Sequence, residues 1–111
     1  MTETKNTHTD PDLNLLTDID PLIHASARLM ILTYLYVVDS ADFVFLKNMT
    51  GLTWGNLSTH LSKLEDAEYV EIKKTFKGKK PHTMVQMTGK GRSAFQVYKE
   101  RMKQVLDTLP D

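Results

Sequence analysis

The chain has 111 residues, 41% of them hydrophobic and 25% charged, with 14 basic residues balanced by 14 acidic ones. That fits one globular domain with a genuine core, and the absence of cysteine excludes disulfides, thiolate metal sites and thiol redox sensing. No apolar run reaches the roughly 20 residues that span a bilayer, and no signal-peptide pattern opens the chain, so a soluble cytoplasmic protein with no membrane partner is expected.

The net charge says nothing about nucleic acid, but its distribution does. Acidic residues lead at the start (Glu3, Asp10, Asp12, Asp18, Asp20). Between Ile72 and Arg92 lie Lys73, Lys74, Lys77, Lys79, Lys80, Lys90 and Arg92 with no acid among them. A local basic patch matters more for phosphate binding than the global sum.

Residues 1–12 are polar and rich in Thr and Asp, and read as a flexible tail. Residues 13–111 read as the single domain. Leu13, Leu15, Leu16 and Ile19 supply an apolar cluster that suits a short docking helix. Asp20-Pro21 is a helix-start signal, an N-cap followed by proline at the first helical position, and predicts a helix over about 20–38. Its second half, LMILTYLYVV, is apolar almost all round, which requires cover on more than one side. Either a central core position or a second subunit would provide it.

A turn is expected at 39–42, then a short apolar segment (Phe43, Val44, Phe45, Leu46, Met49) ended by Gly51 at a C′ position. The next helix is predicted over 54–67. Thr53 serves as its N-cap and Leu52 as a staple onto Leu57. Leu57, Leu61 and Leu64 fall on one stripe, and Asn56, Thr59, His60 and Lys63 on the opposite one. An ordinary surface helix shows the same amphipathic pattern. Here, though, every member of the outer stripe can donate or accept hydrogen bonds, as a helix reading base edges in the major groove must. Thr53, Trp54 and Ser58 complete the candidate contact set. Gly55, in the first turn, would let a neighbouring helix or a phosphate approach closely.

Tyr69 to Phe76 and the run HTMVQMT alternate at period two around KGKKP, which predicts a β-hairpin with a basic tip. Lysines at a hairpin tip often only solubilise or protect an edge. The short segment from Phe43 and the 54–67 helix, two short helices joined by three or four residues, make a helix-turn-helix, and directly after it the lysines read as a wing along the duplex backbone: Lys73, Lys74, Lys77, Lys79, Lys80 and His82. Thr88 caps a last helix over about 89–109. Its Phe95, Tyr98, Met102, Val105 and Leu109 recur at steps of three and four, a seam suited to a two-fold axis beside the first long helix. With Leu29, Leu32 and Tyr36 they form the expected dimer interface.

The order helix, helix-turn-helix, hairpin, helix is that of a winged helix-turn-helix domain, α+β and mostly α, with a two-stranded wing and a C-terminal dimerisation helix. IHASARLMIL (23–32), LTWGNLSTHLSKLEDAEYVEI (52–72), FKGKKPHT (76–83) and MTGKGRSAF (87–95) resemble the small MarR/ArsR-like winged-helix transcriptional regulators of bacteria and archaea. The resemblance implies sequence-specific binding of double-stranded DNA as a homodimer, usually for repression, with helix 54–67 in the major groove and the 77–80 loop as wing. Two residues depart from the family pattern. Glu68 stands where a helix-ending Gly is usual, at a cost on the order of 1 kcal/mol in a left-handed cap, so another turn geometry is expected. Trp54 opens the recognition helix where a small or acidic residue is favoured; burial against the preceding helix is the expectation, and a place on a sugar-phosphate strand the alternative.

An enzyme is not expected. His8, His24, His60 and His82 are scattered, and no metal-ligand spacing, nucleophile elbow or phosphate-cradling glycine motif occurs. No cofactor is implied either. The rival reading is a winged helix used for protein–protein contact, its basic wing meeting an acidic partner. A pocket between the first and last helices, lined by residues such as Met30, Tyr34, Tyr36, Tyr98 and Met102, would instead suit an unknown small-molecule effector.

Overall fold

The computed structural model describes residues 13–111, so the tail expected over residues 1–12 lies outside the described residues. A short 3-10 helix (Leu13–Asp18) leads into α1 (Ser26–Val38), β1 (Ser40–Asp42), α2 (Phe43–Thr50), α3 (Trp54–Asp66), β2 (Val70–Lys77), β3 (Lys80–Met87) and α4 (Gly89–Asp107). This is a mostly helical winged-helix domain.

The first long helix begins five residues later than Asp20-Pro21 predicts. Asp20 does close a turn, its Oδ1 accepting from Leu22 N–H at 2.9 Å and its carbonyl from His24 N–H at 2.9 Å. Its other carboxylate oxygen accepts the Tyr69 hydroxyl. The chain then runs extended at Ala25, which caps α1 without a side-chain bond. Asp20 therefore anchors a turn to the α3–β2 junction, and the local N-cap signal gives way to that tertiary bond.

The 39–42 turn contains a third strand that the sequence does not announce. β1 pairs antiparallel with β3 (Ser40 opposite Gln86, Asp42 opposite Met84), giving the sheet order β1-β3-β2. Asp39, at φ +70, closes α1 by donating its N–H to Leu35 O at 2.7 Å. Its carboxylate meets Arg92 and Gln86, both at 3.2 Å. Three residues of alternating burial are too short to show a period.

The helix-turn-helix forms as its caps dictate. Asp42 accepts from Phe45 N–H at 2.7 Å, Gly51 ends α2 at φ +71, and Thr53 accepts from Asn56 N–H at 3.1 Å. Leu57, Leu61 and Leu64 are 0–1% exposed, packed with Ile23, Ile31, Leu35, Leu46 and Val85. Glu68 does take the left-handed conformation, at φ +64, against the expectation of another geometry. Its N–H bonds Glu65 O at 2.8 Å and Tyr69 N–H bonds Leu64 O at 2.9 Å, the paired closure of a Schellman motif. Thr88 Oγ1 donates to the Glu68 carbonyl at 2.6 Å, and Lys90 lies 3.4 Å from its carboxylate. These bonds offset the strain of the missing glycine.

The glycine that the packing requires is Gly91 rather than Gly55. A Cβ on Gly91 would collide with the Tyr69 carbonyl, whereas one on Gly55 would meet no protein atom within 4 Å. The close approach of a neighbouring helix expected at Gly55 does not occur. Gly91 lets α4 start directly against the α3–β2 corner.

Candidate nucleic-acid interface

Trp54, Asn56, Ser58, Thr59 and Lys63 are all exposed on α3. Below them the three leucines hold the helix to the core, so the outer stripe is free to meet a ligand without disturbing the fold. Thr53 and Thr59 have local duties: the Thr53 oxygen caps the helix, and Thr59 Oγ1 donates to Gly55 O at 3.0 Å. Trp54 lies on α2 as expected but is not buried. Its ring stacks on Phe43 (5.5 Å between centroids, planes 4° apart) under Lys47 Nζ at 5.0 Å, and stays 51% exposed.

His60 differs from its neighbours. It is half-buried at the edge of the stripe, its Nδ1 3.1 Å from Arg28 Nη1 of α1. Arginine has no acceptor lone pair, so Nδ1 accepts and the ring proton sits on Nε2. Burial, then the charges of Arg28 and Lys63, lower the His60 pKa below its ordinary value. The ring is a neutral donor at neutral pH. Arg28 is itself held, its Nε donating to Leu22 O at 2.6 Å. Nothing in the sequence spacing links residues 28 and 60.

The wing is a continuous ladder from Val70 opposite Met87 to Lys77 opposite Lys80. Only Gly78 and Lys79 form the loop. Positive φ at Gly78 (+66) and not at Lys79 is the type II′ arrangement that matches strand twist. Because successive residues point to opposite faces, the lysines divide. Lys74 and Phe76 share the face of Val70 and Ile72, and Lys74 and Thr83 line a cleft with Ser58, Ser62 and Glu65 of α3. Lys73, Lys77, Lys80 and His82 take the outer face, where Lys73 pairs with Glu71 at 3.5 Å and His82 Nε2 lies 3.1 Å from Met84 Sδ. The six wing residues named from the sequence are thus two groups, with Lys79 at the tip.

Away from the residues of α3 and the wing, α1 and α4 border an open groove of about 670 Å³ lined by Tyr36, Val37, Phe95, Tyr98, Met102 and Leu106, among others. Of the residues expected at a dimer interface, Leu32 (0% exposed), Phe95 (7%), Tyr98 (6%) and Val105 (8%) are packed within the protomer, Leu29, Tyr36 and Met102 are half-buried and Leu109 is 46% exposed. The other large apolar residues left open on these two helices are Met30 (44%), Val37 (79%), Val38 (39%), Val97 (50%) and Leu106 (57%). Heptad spacing marks a face that wants cover, and much of that cover comes from inside the same chain. At one end of this region His24 Nδ1 meets the Tyr98 hydroxyl at 2.9 Å, a structural duty where the sequence indicates none. Burial raises the Tyr98 pKa. Among the described residues no His/Asp/Glu cluster suited to a metal occurs, and no helix is long and apolar enough to cross a membrane.

Comparison with known proteins agrees with this geometry. Residues 27–106 match the family model of the winged helix DNA-binding domain. An uncharacterized protein of Methanocaldococcus jannaschii is 39% identical over 77 residues, covering 69% of this chain and 84% of the relative. The structure of a transcriptional regulator homologue from Pyrococcus horikoshii superposes with a TM-score of 0.80 at 27% identity, over 85% of this chain and 95% of that one. NadR, solved in complex with 4-hydroxyphenylacetate, shares the fold at a TM-score of 0.65 and 18% identity, over 96% of this chain and 82% of that one. The exposed polar stripe of α3, the hairpin beside it and the match along most of the chain have one meaning: this protein belongs to the non-enzymatic winged helix DNA-binding domain family, and its fold is that of MarR-like transcriptional regulators.

Proposed function

We propose that the chain is a sequence-specific regulator of transcription that binds duplex DNA as a homodimer and represses. α3 enters the major groove with Asn56, Thr59 and Lys63 toward base edges, while Thr53, Trp54, Ser58 and His60 face the flanking bases or backbone. Lys73, Lys74, Lys77, Lys79, Lys80 and His82 supply the wing's phosphate contacts. One observation carries this reading: an outer stripe of hydrogen-bonding side chains stands on a helix whose inner stripe is at most 1% exposed, beside a ribbon rich in lysine. Such a helix is rigid where it must be and polar where bases would meet it.

The homodimer is argued from the α1–α4 groove, whose exposed Val37 and Leu106 a second copy would cover. Two copies then present their α3 helices to one side of a duplex about one turn (~34 Å) apart. Repression by occupying a promoter needs no further surface. A small-molecule effector has the same groove to occupy, whose volume falls within the usual range for ligand sites.

The test is a pair of titrations, on a duplex selected by the protein and on a scrambled one, for Asn56→Ala, Thr59→Ala and Lys63→Ala. At least one variant should narrow the gap between the duplexes by about 1–3 kcal/mol while its melting temperature holds. If all three keep the wild-type gap, α3 does not read sequence and a protein-binding winged helix becomes the better account.

A further inference from the structure

Phe76 has no part in the base and phosphate contacts of α3 and the lysines, yet it is the large apolar side chain left open on the wing, 74% exposed. β1 ends opposite Met84, so beyond that point β2 and β3 form a free two-stranded ribbon. Four further pairs, from Lys74–Thr83 to Lys77–Lys80, carry the ribbon outward, on the order of 10 Å at strand rise. Phe76 stands opposite Pro81 near the far end. Proline is tolerated there: counting back from the hydrogen-bonded Lys77–Lys80 pair, Pro81 lacks its N–H on the side where no strand remains to accept it. By the alternation of the strand, Phe76 lies on the same face as Lys74, the face turned toward α3. Lys74 shares that face, Lys77 and Lys80 stand on the opposite face of the ribbon just beyond Phe76, and Lys79 sits at the tip, all exposed. A ring among cations, carried out on a ribbon toward the side that α3 presents, matches a polyanion with an apolar interior.

We propose that Phe76 is a wedge that enters the minor groove next to the site of α3 and partly unstacks one base step, with the flanking lysines on the two phosphate strands. Minor-groove proteins use apolar side chains in this way to kink the duplex. Pyrimidine–purine steps (TA, CA/TG) yield most readily. Phe76 therefore sets a sequence preference at a step to which it makes no hydrogen bond. This role rests on α3 reading a duplex.

The experiment uses the full chain and a duplex of about 30 base pairs that it has selected from a random pool, a length that covers two half-sites one turn apart. 2-Aminopurine is walked through the strand and a donor–acceptor pair labels the ends. Bound wild type should brighten 2-aminopurine severalfold at a step flanking the α3 contacts and shorten the end-to-end distance. Phe76→Ala should remove both signals, weaken binding about tenfold, equivalent to about 1.4 kcal/mol, and flatten the preference for TA or CA/TG at that step. Lys79→Ala should weaken binding and keep both signals. A bound duplex with no responsive position, or an unchanged response in Phe76→Ala, overturns the wedge and leaves the α3 reading standing. So does a Phe76→Ala protein that loses sedimentation mass, which would make the ring a contact between copies. Failure to select any duplex overturns the α3 reading and the wedge together.

Discussion

α3 and α4 are both amphipathic helices with their apolar sides packed, yet they border surfaces of opposite character. Around α3 the exposed groups are Asn56, Thr59, Lys63 and the wing lysines, over leucines that are at most 1% exposed. Around α4 and α1 the exposed groups include Met30, Val37 and Leu106, over a groove with few polar atoms. A polar surface over a finished core can wait in water at no cost and exchange its hydration for a polar ligand. An apolar surface that size is stable in water only at a loss of roughly 25 cal/mol for each Å² left uncovered. The first face suits a reversible partner such as DNA, and the second a more permanent one.

The sharpest way to break this contrast is at the buried stripe. Leu61→Ala should cost about 2–5 kcal/mol, read as a lower urea midpoint, and should weaken binding to every duplex only as far as the protein unfolds. Next is the apolar face. Val37→Asp with Leu106→Asp would place unpaired carboxylates in the proposed dimer contact and raise the dimer dissociation constant about 100-fold. Sedimentation should then show the 12.7 kDa chain where wild type shows twice that. A wild type that stays at the single-chain mass at micromolar concentration would remove the homodimer.

A smaller effect is expected at the wing. Lys77→Ala, Lys79→Ala and Lys80→Ala together should weaken binding about equally on all duplexes. They should also flatten the salt dependence by about one unit of slope for each phosphate no longer neutralised. A changed sequence preference at constant salt slope would show that these lysines are no phosphate clamp. The smallest effect concerns His60. Its folded pKa is lowered, so the unfolded chain binds the proton more readily. The stabilising contribution is full above the ordinary histidine value of about 6.5 and is lost as the pH falls below it. Denaturant midpoints from about pH 7.5 to 5.5 should fall more for wild type than for His60→Gln, by a margin kept small by solvent around the half-buried ring. Equal slopes would remove the Arg28–His60 bond from the account.

Where elements could be read from the chain, the signal was local. Thr53, Thr88 and Gly51 predict caps that the structure forms, and the Gly78–Lys79 turn sits between two alternating runs as their composition requires. Signals failed where a distant group competed. Asp20 resembles an N-cap, but its carboxylate serves Leu22 and Tyr69, burial and that bond pushing the Tyr69 hydroxyl up to about 12. No helix approaches Gly55, whose open side leaves room for a phosphate, while Gly91 is the glycine pressed on a carbonyl.

The winged-helix order, the leucine stripe behind α3 and the basic hairpin are legible in the order of residues alone, because caps, periods and turn residues act within a few positions of themselves. That Arg28 sets the tautomer of His60, that the wing lysines divide between two faces, that β1 joins the sheet, and that Leu32 and Val105 belong to the protomer's own core all follow from the packed arrangement instead. Each of those depends on which element packs beside which. A helical or alternating pattern says that a face must be covered and leaves open what covers it.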